Sequence, residues 1–380
     1  MKQILKLIGS LILGGCIGFV GATLVILLFT DISFNTFMEK LQKIEALELI
    51  GVMLFSLITF VLCCILQIIL HEGGHLIGGL LSGYRFVSFR ILNWTIVKEE
   101  GKLRIKHFNI AGTGGQCLLT PPEKPIHDIP VVIYNLGGVM INFLTATLSL
   151  ILLITIEELP YPIELFLIFN CIIGFFLGIL NGIPFSFGAI SNDANNMRLL
   201  LKDEQSKQTM AHLLHINAFV QKGMRPKDIP DFYFTCKEPI NYKNPLQINL
   251  YLMVIGKLMD EEQWEVCYNK LEDLIKHKDE MLDLFIKETA CELLFISLII
   301  GRQERAKELY TEELSRYIQQ YAKIMSSKQR ILCAIALYME KDRVKAEKIY
   351  KKLALQQDRM LMQGEVKMDL ALMDSMLNKI

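Results

Sequence analysis

The chain has 380 residues, 52% of them apolar, a mean hydropathy of +0.35, and equal numbers of basic and acidic side chains, 40 of each. That length accommodates two domains and that hydropathy excludes a wholly soluble protein, while the lack of a basic stripe with interleaved aromatics excludes nucleic acid as a partner. The balanced charge conceals a division: about 23 charged residues precede Ser191 and about 57 follow, as expected for a membrane half, 1–190, and a solvated half, 191–380.

Residues 7–29 form an apolar run behind Lys2 and Lys6, long enough to cross a hydrocarbon core of about 30 Å. They are expected to be a first membrane span, with a cleaved signal peptide ending near Gly21-Ala22 as the alternative. Gly14 and Gly18 give this run one small face. A polar link follows, and then residues 49–81 make a second apolar run that continues without a breaker through His71-Glu72-Gly73-Gly74-His75. Gly78, Gly79 and Ser82 keep one side of its last turn small, which predicts a closely packed neighbour.

The period changes over residues 84–120. Phe86, Ser88, Arg90 and Leu92 alternate with Val87, Phe89 and Ile91, and Lys102, Arg104 and Lys106 alternate with Leu103 and Ile105. Two strands joined by a turn at Glu99-Glu100-Gly101 are expected. The glycine-rich segment with Gly114 and Gly115 has no helix after it and so fails as a dinucleotide loop; an exposed strand edge fits it better. Pro121, Pro122 and Pro125 then form a loop.

Residues 131–156 read as a third span, with Asn135, Gly137, Gly138 and Asn142 near its start. Residues 163–187 read as a fourth and carry Asn181-Gly182-Ile183-Pro184, where proline removes a backbone donor and breaks the helix. Carbonyls freed at that depth must face protein or a water-filled cavity. Lys and Arg are plentiful in 84–130 and after Asn196, sparse in 31–48 and absent from 157–162. The positive-inside rule therefore predicts a multi-pass protein of the cell membrane with both termini, the strand segment and the His71 end of the second helix on the cytoplasmic side.

Beyond Ser191 three helix pairs recur about every 40 residues: 250–258 with 262–275, 284–299 with 304–317, and 331–339 with 344–353. Ala334-Ile335-Ala336-Leu337-Tyr338 and Ala346-Glu347-Lys348-Ile349-Tyr350 resemble degenerate tetratricopeptide repeats, with a plain helical bundle as the alternative. Either serves partner binding or regulation better than catalysis. The fold class expected is thus a polytopic α-helical membrane protein of about four spans with a small membrane-associated β-segment, followed by an all-α, helical-repeat-like soluble domain. The nine cysteines show no C-x-x-C spacing and read as small buried hydrophobes.

The chemistry concentrates at residues 71–75. Helical spacing puts His71 and His75 one turn apart on one face, where both reach a single zinc ion, with Glu72 alongside as the base for a metal-activated water. A carboxylate beside hydrocarbon requires a protected polar site. A catalytic zinc wants a third ligand and an open position. His107, His127, His212, His215 and His277 lie in strand, loop or soluble segments and offer no candidate. Asp193, just past the Pro184 break and on the same predicted membrane face, is the better choice, with ordinary loop solvation as its alternative.

Over roughly half its length the chain resembles the site-2 protease family of intramembrane zinc metalloproteases. His71-Glu72-Gly73-Gly74-His75 matches the zinc helix of that family, and Gly114-Gly115 resembles its glycine-containing, membrane-associated strand. Gly138-Val139-Met140-Ile141-Asn142 resembles its Gly-Pro-x-x-Asn helix start, with valine in place of proline. Asn181-Gly182-Ile183-Pro184 followed by Asp193 resembles its Asn-x-x-Pro and Asp-Gly motif, with Ala194 replacing glycine and a longer spacing. The resemblance implies one Zn2+ per chain held by His71, His75 and Asp193, with Glu72 as catalytic base. The substrate implied is a transmembrane protein or peptide, such as a membrane-anchored regulator or a signalling-peptide precursor, held extended beside Gly114 and Gly115 in the lipid bilayer. Asn142 and Asn181 are expected to hydrogen-bond the substrate or the developing oxyanion, helix-helix hydrogen bonding being their alternative. No segment reads as a PDZ domain, so a protein partner or substrate selection falls to the carboxy-terminal helices. The alternative function is a non-proteolytic membrane scaffold or peptide-export accessory with a structural zinc.

Overall fold

Unbroken apolar sequence without proline, from Ala46 to Leu81, folds as one helix of 36 residues, α1. The computed structural model describes residues 46–99, 102–107, 114–187 and 190–378; the expected first span, 7–29, lies outside them. Among the described residues three helices are long and apolar enough to cross a membrane. They are α1, α2 (Val132–Thr155) and α3 (Tyr161–Gly182). At 1.5 Å per residue α1 is roughly 54 Å long, more than a hydrocarbon core requires, so its last three turns extend the span into a polar site. The expected fourth span ends earlier than residue 187. Ile183, immediately before Pro184, is extended at φ −97° and ψ 124°, because the proline ring excludes a helical backbone in the residue before it.

Glycine sets how closely these helices meet. A Cβ on Gly74 would collide with the Gly137 carbonyl oxygen, and one on Gly137 would collide with that of Gly74, so α1 and α2 cross backbone to backbone. The small side expected at Gly78 is filled by the Ile133 carbonyl, which occupies the space a side chain would need. The link between α2 and α3 is short, and Gly174 packs on Ala146 and Gly178 on Phe143.

Between α1 and α2 the chain forms an antiparallel sheet ordered β3-β2-β1-β4, with β1 Arg85–Ile91, β2 Trp94–Glu99, β3 Lys102–His107 and β4 Gly115–Thr120. Strands form where the alternation expects them, but among the described residues there are more than the two expected from it and the glycine edge, and burial does not alternate strictly along them: Val87 and Ser88 are both buried, where β1 shifts register against β4. Trp94-Thr95-Ile96-Val97 belongs to a separate strand, turned back on β1 at Leu92, which takes φ 52°. Gly114 precedes β4 and Gly115 begins it, and among the described residues β4 lies at the edge of the sheet with β1 as its one strand partner.

From Asp193 the chain is helical. Helices α4 (Asp193–Lys202) and α5 (Glu204–Gln221) come first, and Ala218 of α5 packs with Val87 and Leu118 of the sheet while Ala211 joins Tyr84, Cys117 and Leu119. The three expected pairs follow as α6 (Pro245–Asp260) with α7 (Trp264–Lys276), α8 (Asp283–Ile299) with α9 (Gln303–Leu309) and α10 (Glu312–Tyr321), and α11 (Ser326–Ala334) with α12 (Arg343–Gln356). The expected 304–317 helix is two, because the Thr311 side chain accepts from the Leu314 amide and caps a new start. A last helix, α13 (Gln363–Asn378), closes the array. Its core of Ile255, Leu271, Leu294, Ile331 and Leu353 also buries Arg330, paired to Asp369 and Glu292. The cysteines described are free, and Cys63, Cys117, Cys171, Cys267, Cys291 and Cys333 are buried, as their apolar surroundings predict.

Candidate metal centre

Helical spacing does bring the two imidazoles together: His71 and His75 Nε2 are 3.2 Å apart. Asp193, the first residue of α4, completes the group, with its Oδ2 lying 3.1 Å from His71 Nε2 and 3.4 Å from His75 Nε2. Three ligands held about 2.0–2.1 Å from a tetrahedral zinc stand about 3.3–3.4 Å from one another, so the triangle has the size of a three-ligand face. Among the described residues this is the one cluster of side chains arranged to hold a metal ion.

The hydrogen bonds behind the rings decide which nitrogen faces inward. His75 Nδ1 lies 2.7 Å from the Tyr134 carbonyl, an obligate acceptor, so it carries the proton. His71 Nδ1 lies 2.5 Å from Asn142 Oδ1. The Asn142 amide is oriented by its own Nδ2, which donates to Gln67 Oε1 at 2.6 Å and to the Gln67 carbonyl at 3.1 Å. Both Nε2 atoms therefore present lone pairs to each other and to Asp193 Oδ2, which is buried without a hydrogen-bond partner. Three electron-rich atoms in mutual contact fit a cation, and an N,N,O donor set suits zinc.

Space at the centre is made by missing side chains. A Cβ on Gly138 would lie 2.7 Å from both His71 Cε1 and His75 Nε2, and one on Gly115 would lie 2.6 Å from Glu72 Oε1. Glu72 thus sits directly under the start of β4. Glu72, the two histidines and Asp193 open into a cavity of about 480 Å³. Gly114, Gly115 and Asn181 line it, together with Leu177 of α3 and Met210 and Leu214 of α5. Asn181 also donates to the Leu177 carbonyl one turn back. Asn142 is placed differently from the expectation. It has no exposed surface, and its amide is taken up by Gln67 and His71, so it supports the centre from behind and has nothing to offer a substrate.

What delivers Asp193 is a residue that no motif singles out. Asn192, immediately before it, donates from Nδ2 to the Leu180 and Ile183 carbonyls, both at 2.6 Å, and accepts at Oδ1 from the Phe185 and Asn195 amides. It thereby satisfies carbonyls released at the Pro184 break and caps α4 with the same side chain, tying the end of α3 to the carboxylate. Its polar type beside a helix break is the one signal of this in the sequence. Asn192→Ala is expected to weaken zinc binding about 10- to 100-fold, as loss of other supports of metal ligands does, read by chelator competition on the purified chain. Unchanged affinity would remove Asn192 from this role.

Comparison with protein-family models, with curated proteins and with solved structures gives no match to this chain.

Proposed function

We propose that the chain is an intramembrane zinc metalloprotease of the site-2 type, hydrolysing peptide bonds in or near the transmembrane segments of membrane-anchored regulators or signalling-peptide precursors. The observation that supports this most is the convergence of His71 Nε2, His75 Nε2 and Asp193 Oδ2 beside Glu72 in one cavity, at the end of a membrane-length helix.

His71, His75 and Asp193 would hold the zinc. When bound, it supplies a Lewis acid that polarises the scissile carbonyl and brings the pKa of a water toward about 7. Glu72 takes the proton of the attacking water as its oxygen bonds to the carbonyl carbon, and delivers it to the amide nitrogen as the C–N bond breaks. The products are a carboxylate and an amine. A helical peptide bond is shielded by its own hydrogen bonds, so the substrate must be extended to react. The edge of β4 away from β1, which has no strand partner among the described residues, lies against Glu72 at Gly115 and would offer backbone partners to such a strand. Asn181, on the cavity wall, is the side chain suited to the substrate carbonyl. The lysine and arginine distribution supports a site near the cytoplasmic face.

The test is metal-dependent cleavage. Purified full-length chain in lipid vesicles, mixed with membrane peptides, is expected to generate new peptide termini by mass spectrometry, to stop with chelator and to resume with added zinc. Zinc held without any cleavage, with unfolding on its removal, would instead support a structural metal in a scaffold.

A further inference from the structure

Behind His71 the hydrogen bonding does not stop at Asn142. Gln67, whose Oε1 orients Asn142, is itself fully buried on α1, one turn before His71. Its Nε2 donates to Asn170 Oδ1 of α3 at 2.7 Å and to Thr145 Oγ1 at 3.2 Å. Asn170 Nδ2 donates in turn to Ser149 Oγ of α2 at 2.8 Å, and Ser149 Oγ donates to the Thr145 carbonyl at 2.9 Å. Asn170 and Ser149 are 5% and 3% exposed, so solvent supplies no alternative partner.

Every link runs in one direction, from His71 N–H to Asn142, and from Asn142 to Gln67, to Asn170, to Ser149 and into a backbone carbonyl. A primary amide can be turned over, exchanging donor for acceptor, and here no member can turn without setting donor against donor at its neighbour. Two backbone carbonyls fix the direction, because a carbonyl only accepts: Asn142 Nδ2 also donates to the Gln67 carbonyl at 3.1 Å, and Gln67 Nε2 to the Asn170 carbonyl at 3.3 Å.

Stability is a weak explanation for this relay. Hydrogen bonds between membrane helices each contribute little to stability on average, because the separated helices also find partners for their polar groups. Three primary amides buried across α1, α2 and α3 therefore yield little, and apolar residues of the same size would pack as well. The relay ends on a ring that must present one particular nitrogen to the cavity. We propose that Gln67, Asn170 and Ser149 are positioning residues that act through Asn142 to fix the proton on His71 Nδ1 and so hold His71 Nε2 ready for the metal. This rests on the metal reading given above and extends it to residues far from the cavity.

The experiment uses the purified full chain in detergent, with cobalt(II) as a spectroscopic probe and zinc affinity by chelator competition. Gln67→Met and Asn170→Leu, which keep size and lose polarity, are expected to weaken binding about 10- to 100-fold and to alter the cobalt d–d spectrum. Gln67→Glu restores affinity to within about three-fold of wild type, since one carboxyl oxygen accepts from Asn142 and the other, protonated, donates to Asn170. Cys171→Ala, a buried change beside the relay but not in it, leaves both readouts unchanged. Should either apolar variant not fold, Ser149→Ala decides: a loss of about three-fold or more supports the relay. Folded variants with wild-type affinity and spectrum overturn the inference while leaving the metal reading intact. A wild-type chain that binds neither metal overturns both.

Discussion

Glu72→Gln is expected to lower peptide-bond cleavage about 10²- to 10⁴-fold, or about 3–5 kcal/mol of transition-state stabilisation, with one zinc still bound per chain. Glutamine has the same length and fits beneath Gly115 as glutamate does, so neither the close contact there nor the ligand triangle is disturbed. It lacks the ability to accept a proton from water and pass it on. Single-turnover cleavage of a transmembrane peptide, with metal analysis of the same sample, separates the two effects. Full activity in the variant would sink the role of Glu72 and the protease reading with it. Lost activity with lost zinc would point to a structural disturbance instead.

Removing a ligand acts on the other quantity. His71→Ala and Asp193→Ala are each expected to weaken zinc binding about 10²- to 10³-fold, taking roughly a quarter of the binding free energy of a four-ligand site as the share of one ligand. Helical content should stay unchanged. The α1–α2 crossing at Gly74 and Gly137 and the apolar contacts of α3 do not pass through the triangle, so the helices have their own reasons to stay together. Circular dichroism with chelator competition checks this. Collapse of the fold in Asp193→Ala would mean that the metal is structural and would favour a scaffold over an enzyme.

Much of the site can be read from residues alone. His71, Glu72 and His75 stand at fixed helical spacing, which needs no tertiary information, and Pro184 marks the end of the last span nearby. Asp193 is legible as the first carboxylate past that break. The layer behind the ligands is not. Gln67 and Asn170 are 103 residues apart and Asn142 and His71 are 71 apart, so their contacts depend on how three helices rotate against one another, which periodicity does not report. Asn142 belongs to a motif, but a motif fixes the residue and not the side of the helix it occupies, so the expected substrate contact gives way to a support for His71. Strand β2 is hidden from pattern because Leu92 turns the chain in two residues, without the glycine that usually announces such a hairpin. The composition change at Ser191 marks where charge becomes dense, and charge is silent on which of the later helices touches the sheet.

That last contact bears on how the protein can be taken apart. Met210 and Leu214 of α5 form part of the cavity wall, and Ala218 closes over Val87 and Leu118. A truncated chain that stops soon after Asp193 would keep all three proposed zinc ligands, yet the cavity beside them would lack a side and the sheet a cover.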